Sequence, residues 1–206
     1  MIFQFWNSNV AAWPAAHDAN SLLALVLSWT AISACCLMRP HSVRYVARFL
    51  FPVGALVSIA VFILAASFIF RGDKPETLIL PLGLPDLPFH VRLDPLSAFF
   101  LIILGLGGAG ISLFAAGYFR SGEGTAPGVL GFYYHAFLAS MAVVILADDA
   151  YLFMVAWETM ALTSYFLVTS QHRIPEIRAA GFLYVLMAHL GAACLLLSFG
   201  VLQGGS

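Results

Sequence analysis

Runs of about 18 or more apolar residues recur along almost the whole of this 206-residue chain, each long enough to cross about 30 Å of hydrocarbon as a helix. Hydrocarbon offers the backbone no water to bond, so such runs satisfy their N–H and C=O groups internally and fold as packed helices. Composition agrees: 62% of residues are hydrophobic and 9% charged, with a mean hydropathy of +0.95. That excludes a soluble domain, and nothing in so sparse a set of basic residues points to nucleic acid. The lipid bilayer is the expected surroundings, and the fold class is all-α, a polytopic membrane helix bundle forming one membrane domain over 1–206.

The pattern places about six transmembrane helices at 21–38, 49–70, 95–118, 130–147, 150–168 and 177–202. Between them lie the arginine-bearing stretch 39–48, the long stretch 71–94, the glycine-containing 120–128, the pair Asp148 and Asp149, and 169–176. Helix-entry chemistry marks two starts: Asp94 ahead of Pro95, and Pro175 ahead of Glu176. In 71–94, short apolar or alternating runs divided by Gly83, Pro85 and Pro88 fit a small external β-hairpin between helices two and three. An irregular covering loop fits them as well.

Cytoplasmic loops of membrane proteins carry the excess of Lys and Arg. One side of this chain collects Arg39, Arg44, Arg48, Arg120, Arg173 and Arg178; the other collects Arg71, Lys74 and Arg92, accompanied by Asp73, Glu76, Asp86 and Asp94. The expected orientation in the cell inner membrane therefore puts both chain ends outside. Ile32-Ser33-Ala34-Cys35 resembles a lipoprotein cleavage box, but residues 1–20 contain no Lys or Arg, and a secretory signal needs a basic n-region. Cys35, Cys36 and Cys194 fall inside spans and lack the spacing of a zinc or iron–sulfur set, so they read as small packing residues and no cofactor or metal is expected. The Gly105 to Gly110 segment matches G-x-G-x-x-G, which works only between a strand and a helix. Within a span, small residues four apart, Gly105 with Ala109 and Gly108 with Ser112, instead let helix backbones approach.

One residue breaks the apolar pattern in an expensive place. Glu158 lies nine positions after Asp149, roughly 13 Å into the membrane at 1.5 Å per residue, where an ionisable group costs roughly 2.5 to 3.5 kcal/mol on insertion scales. Hydrocarbon favours the neutral acid unless a cation from elsewhere pairs with it. Either state makes Glu158 a proton donor or acceptor. Residues three, four and seven positions away share its helix face, bringing Tyr151, Met154, Ala161, Leu162 and Tyr165 beside it. Two histidines on other spans, His189 in the last and His135 in the fourth, are natural relays near neutral pH. Each has a structural reading too, as a satisfied core histidine. With the hydroxyls of Thr159, Thr163, Ser164 and Tyr165 these groups could support a hydrated proton chain. The alternative for Glu158 is a protonated acid that bonds a neighbouring helix and moves nothing.

Leu93-Asp94-Pro95-Leu96-Ser97-Ala98-Phe99-Phe100, Ala147-Asp148-Asp149, the segment from Ala156-Trp157-Glu158 to Leu167-Val168, and Ala179-Ala180-Gly181-Phe182-Leu183-Tyr184 together resemble the antiporter-like proton-conducting membrane subunits. That family includes the large membrane subunits of respiratory complex I, the Mrp cation/proton antiporters, and membrane subunits of formate hydrogenlyase and of hydrogenase-4, such as component B. The resemblance implies a subunit of a redox-driven complex with no redox centre of its own. It also implies that Glu158 matches the family's fifth-helix glutamate, which pairs with a lysine two helices later, and that His189 falls at a polar position of the sixth helix. An Mrp-type sodium/proton antiporter subunit and a non-conducting assembly protein stay open as alternatives.

Family members carry many more helices, in two inverted repeats, whereas this chain ends after about six and its one lysine, Lys74, lies in the external stretch. The expectation is a truncated or split subunit. Other membrane subunits would supply the later helices and the lysine partner, since nothing in the chain itself is expected to neutralise Glu158 within the membrane.

Overall fold

The structure is a computed structural model that describes residues 17–84, 87–118 and 125–204. Asp86, Pro85 and Arg120, used above for orientation and for the hairpin, lie outside the described residues. Six helices among these residues are long and apolar enough to cross a membrane: α1 (His17–Met38), α2 (Val43–Arg71), α3 (Pro95–Tyr118), α4 (Pro127–Leu146), α5 (Ala150–Val168) and α6 (Pro175–Gly204). The expected spans are recovered with shifted ends. α1 begins four residues early, because Asp18 and Ala19 find partners, and α2 begins six residues early. Its first turn is capped by Ser42, whose Oγ accepts from the Tyr45 N–H at 3.3 Å. A π-helical turn, Val46–Leu50, then leads into the regular helix from Phe51. α3 starts where Asp94 Oδ1 accepts the Ser97 N–H at 2.7 Å, the N-cap that its place before Pro95 predicts.

The segment between α2 and α3 is a hairpin of β1 (Glu76–Leu84) and β2 (Leu87–Leu93), antiparallel from Glu76 opposite Leu93 to Gly83 opposite Pro88. The register shifts between Leu80 and Gly83, where Pro81 cannot donate to the ladder and Gly83 takes φ 114°. Gly72, at φ 66°, ends α2 by turning its N–H to the Ile69 carbonyl. Leu78, Val91 and Leu93 are buried under the hairpin, Val91 and Leu93 sharing a face by the two-residue period of a strand.

The hairpin is tied to three helix ends. The Glu76 carboxylate accepts the Ala19 N–H at 2.8 Å at the head of α1, and Arg71 pairs with Asp18 and with Asp73. At the α4–α5 corner Val91 bridges Ala147, the Asp148 N–H donates to the His90 carbonyl at 2.9 Å, and Arg92 pairs with Asp148 at 3.0 Å. This closes one end of the bundle.

α2 packs most extensively on α3; α1 packs on α4 and α2, and α5 on α4. Gly105 and Gly108 of α3 have the packing role their spacing predicts: a Cβ on Gly105 would lie 2.8 Å from the Phe62 nitrogen and the Ser58 carbonyl oxygen of α2, and one on Gly108 2.9 Å from Ser58 Oγ. Ile32 to Cys35 run mid-helix in α1, and Cys36 is wholly buried against α4, near Gly131. α6 is the outlier. Among the described residues it packs chiefly on α5, and 6% of its most apolar window is buried.

Candidate functional site

α5 and α6 are antiparallel neighbours joined by the short 3₁₀ turn Thr169–Gln171 and residues 172–174. Their seam is readable residue by residue. Near the turn, Gly181 faces Tyr165 and Thr169 so closely that a Cβ would lie 2.2 Å from Thr169 Cγ2 and 3.2 Å from Tyr165 Cε2. At the far end Phe153 meets Phe199 edge to face, ring centroids 5.9 Å apart. Between these two contacts Glu158 Oε2 and His189 Nε2 approach to 3.5 Å.

α5 is entered through Asp149, an N-cap with extended backbone whose Oδ1 accepts the Leu152 N–H at 2.7 Å. From that fixed start Glu158 sits two and a half turns down the helix. The imidazole of His189 is held by its own helix, Nδ1 lying 2.9 Å from the Val185 carbonyl oxygen one turn back. A carbonyl can only accept, so this hydrogen bond requires a proton on Nδ1. Nε2 is then the nitrogen left to face Glu158. The side chain of Glu158 is 37% exposed and that of His189 51%, because nothing among the described residues lies across the outer face of α6.

The structure thus brings together two of the three proton-handling candidates, and it changes one expectation. Glu158 does have a group of this chain within reach that can carry a positive charge inside the membrane, namely the imidazole of His189. The third candidate, His135, lies elsewhere. It is fully buried on the α2 side of α4, Nδ1 2.8 Å from the Gly131 carbonyl, with its ring against Phe51 at 5.3 Å. Nε2 points at Gly54, where a Cβ would come within 2.3 Å of it, and has no hydrogen-bond partner among the described residues. No contact links it to Glu158.

The threonine hydroxyls near Glu158 are bonded to carbonyls of their own helix. Thr159 Oγ1 donates to the Val155 carbonyl at 2.8 Å, and Thr163 Oγ1 bonds the Thr159 and Met160 carbonyls at 2.9 and 3.0 Å. Of the expected tyrosines, Tyr165 lies in the α5–α6 seam, whereas Tyr151 packs on Phe89 of the hairpin at 5.6 Å. Two contributors escaped the sequence reading. Val185 acts through its backbone, and the only signal for it is the four-residue spacing to His189; Gly181 had its signal in being the small residue on the face of α6 that meets α5. Among the described residues no group of three or more His, Cys, Asp or Glu side chains is arranged to hold a metal.

No protein-family model matches the chain. It is similar to hydrogenase-4 component B of Escherichia coli, 36% identical over 109 residues that make up 53% of this chain and 16% of that protein. It is also similar to a putative antiporter subunit of Staphylococcus aureus, 23% identical over 181 residues, 87% of this chain and 22% of the relative. In fold it matches a chain of the membrane-bound sulfane sulfur reductase, an archaeal respiratory membrane complex, with a TM-score of 0.64 over 90% of this chain and 37% of that one, at 16% identity. The chain therefore spans less than a quarter of the length of the curated relatives just named. In sequence the chain is similar, over part of their length, to membrane subunits of the antiporter-like kind, and its fold is similar to a chain of a respiratory membrane complex.

Proposed function

We propose that this chain is a membrane subunit of a redox-driven proton-translocating complex of the complex I or group 4 hydrogenase kind, contributing part of a proton half-channel centred on Glu158. The observation that carries this reading is the approach of His189 Nε2 to Glu158 Oε2 at 3.5 Å, mid-way along two membrane-spanning helices. An ionisable pair at that depth is costly unless used. Moving one charge through 100 mV is worth about 2.3 kcal/mol, so the driving energy comes from a partner subunit's electron transfer or from an ion gradient.

The exposure of the pair points to its surroundings. A half-exposed acid and base facing lipid are unfavourable, so in the working assembly another membrane subunit or further helices cover the outer face of α6 and bring the later cationic partner. The arginines at one end of the bundle, Arg39, Arg44 and Arg48 with Arg173 and Arg178, support a cytoplasmic position for that end in the inner membrane and an outside position for the start of α1. The second reading, a subunit of a sodium/proton antiporter, is favoured by the Staphylococcus aureus likeness, which runs over more of this chain than the hydrogenase one.

The test is Glu158→Gln in the complex reconstituted into vesicles. Coupled proton movement is expected to disappear while the subunits still assemble; unchanged pumping overturns the assignment and favours a non-conducting assembly role. Sodium-dependent flux in the unaltered complex, without hydrogenase or quinone-reductase activity, favours the antiporter.

A further inference from the structure

The His189 ring has its orientation fixed from one side and its chemistry left open on the other. With Nδ1–H committed to the Val185 carbonyl at 2.9 Å, neutral His189 presents a bare lone pair at Nε2, and ionised Glu158 presents lone pairs only. Two lone pairs 3.5 Å apart repel. One proton between them turns that repulsion into attraction, whichever atom holds it.

We infer that Glu158 and His189 hold one shared proton between Oε2 and Nε2, with the Val185 carbonyl locking the imidazole in the tautomer that makes this possible. The inference rests on the reading of Glu158 as the protonatable site and deepens it. In the transfer, the proton leaves Glu158 Oε2 as the O–H bond breaks and forms the N–H bond at His189 Nε2, giving carboxylate and imidazolium. The other ring proton stays on Nδ1 throughout, donated to the Val185 carbonyl. Carboxylic acid with neutral imidazole and carboxylate with imidazolium both sum to zero charge, so the loaded pair avoids the cost of a net charge in hydrocarbon, whereas the emptied pair carries −1. The resting state therefore carries one proton, and release waits for a cation brought alongside.

The other titratable side chains on the helices about the pair leave this arrangement intact. α5 adds Tyr151, turned to the hairpin, and Tyr165, in the seam; α6 adds Tyr184 and Cys194 within its span, with Glu176 and Arg178 at its start. On α4, Tyr133 stacks on Phe166, while Tyr134 and His135 face α3 and α2. Among the described residues none of these forms a hydrogen bond or ion pair with either member of the pair.

The same geometry favours H⁺ over Na⁺. Hard cations are held by several oxygens, and here the carboxylate faces a ring nitrogen while the neighbouring threonine hydroxyls are bonded to their own helix.

The experiment uses the full chain in lipid vesicles with ring-¹⁵N histidine, His189 being assigned by the signal lost in His189→Gln. The expected result is a protonated Nδ1 at all pH values and one titration step in which the Glu158 carboxyl infrared band and the His189 imidazolium signal account together for one proton. Exchanging K⁺ for Na⁺ should move neither. A His189 protonated on Nε2 when neutral, two independent steps, or displacement by Na⁺ overturns the inference. The flux of Glu158→Gln in the assembled complex is a separate measurement: a shared proton with normal flux removes the proposed function and keeps the pair, whereas lost flux without a shared proton does the reverse.

Discussion

Asp149 and His90 join the β1–β2 hairpin to the fifth helix through a single carboxylate. Asp149 Oδ1 caps α5 by accepting the Leu152 N–H, and Oδ2 accepts the His90 N–H of β2, each at 2.7 Å. One side chain thereby fixes both where α5 begins and where the hairpin lies, and Glu158 takes its depth from that start. Asp149→Ala removes both acceptors and is expected to cost about 1 to 3 kcal/mol, a lost N-cap plus an unpaired strand N–H. Asp149→Asn keeps one acceptor oxygen and should cost less. Thermal unfolding in detergent checks the order; equal midpoints for Asp149→Ala and the unaltered chain would show that the corner is held without this carboxylate.

His135 and Gly54 form a knob and its hole. The ring fills the space a side chain would need, with 2.3 Å left between Nε2 and a Cβ at position 54. Gly54→Ala should destabilise the α2–α4 interface by about 1 to 3 kcal/mol, the usual cost of overpacking. His135→Ala opens a cavity and also destabilises, but the double variant should cost less than the two singles summed, since the clash and the cavity cancel. Unfolding midpoints of the four proteins test it, and strict additivity would count against the contact.

The difference between what was legible in the sequence and what was not follows from range. Spans, the Asp94 cap and the packing role of Gly105 are written locally, in runs, neighbours and four-residue spacings, and the structure reproduces them with ends displaced by a few residues. The hairpin was legible only as one of two options, because Pro81 and Pro88 within the strands weaken the local signal and the pairing with Ala147 that steadies β2 comes from about 56 residues away. The meeting of Glu158 and His189 is a contact across 31 positions of sequence. Apolar periodicity alone leaves open which face of α6 turns to α5, and from sequence the structural reading weighs more for His135 than for His189. What separates the two histidines is the neighbouring helix each one faces.

Glycines on one helix are not equivalent. A Cβ at Gly105 would run into the α2 backbone at Phe62 and Ser58, which cannot rotate away, whereas one at Gly107 would meet nothing within 4 Å. Gly105→Ala is therefore expected to separate α2 from α3 and lower stability by about 1 to 3 kcal/mol. Gly107→Ala should be neutral or slightly stabilising, alanine being the better helix former by about 1 kcal/mol. Expression level and unfolding midpoint of the two variants, measured side by side, decide the matter; a similar loss in both would point to the lipid-facing side rather than to helix packing.

The seam between α5 and α6 permits a test of the acid–imidazole pair that touches neither member. Gly181 lies eight positions before His189, about 12 Å along the helix, and it packs tightly at the α5–α6 turn, a Cβ there falling 2.2 Å from Thr169 Cγ2. Thr169 has little freedom to yield, since its hydroxyl is bonded to the Tyr165 carbonyl at 2.8 Å. Gly181→Val should wedge the helices apart at the turn and lengthen the Glu158 to His189 approach beyond ion-pair range, leaving both side chains present. Gly200→Val, where a Cβ meets nothing within 4 Å, is the control. The expected outcome is that the ¹⁵N signal of His189 no longer responds to Glu158→Gln in the Gly181→Val background but still does so in the Gly200→Val background. A response surviving in both would show that the two groups are held together by something other than the close packing of these helices.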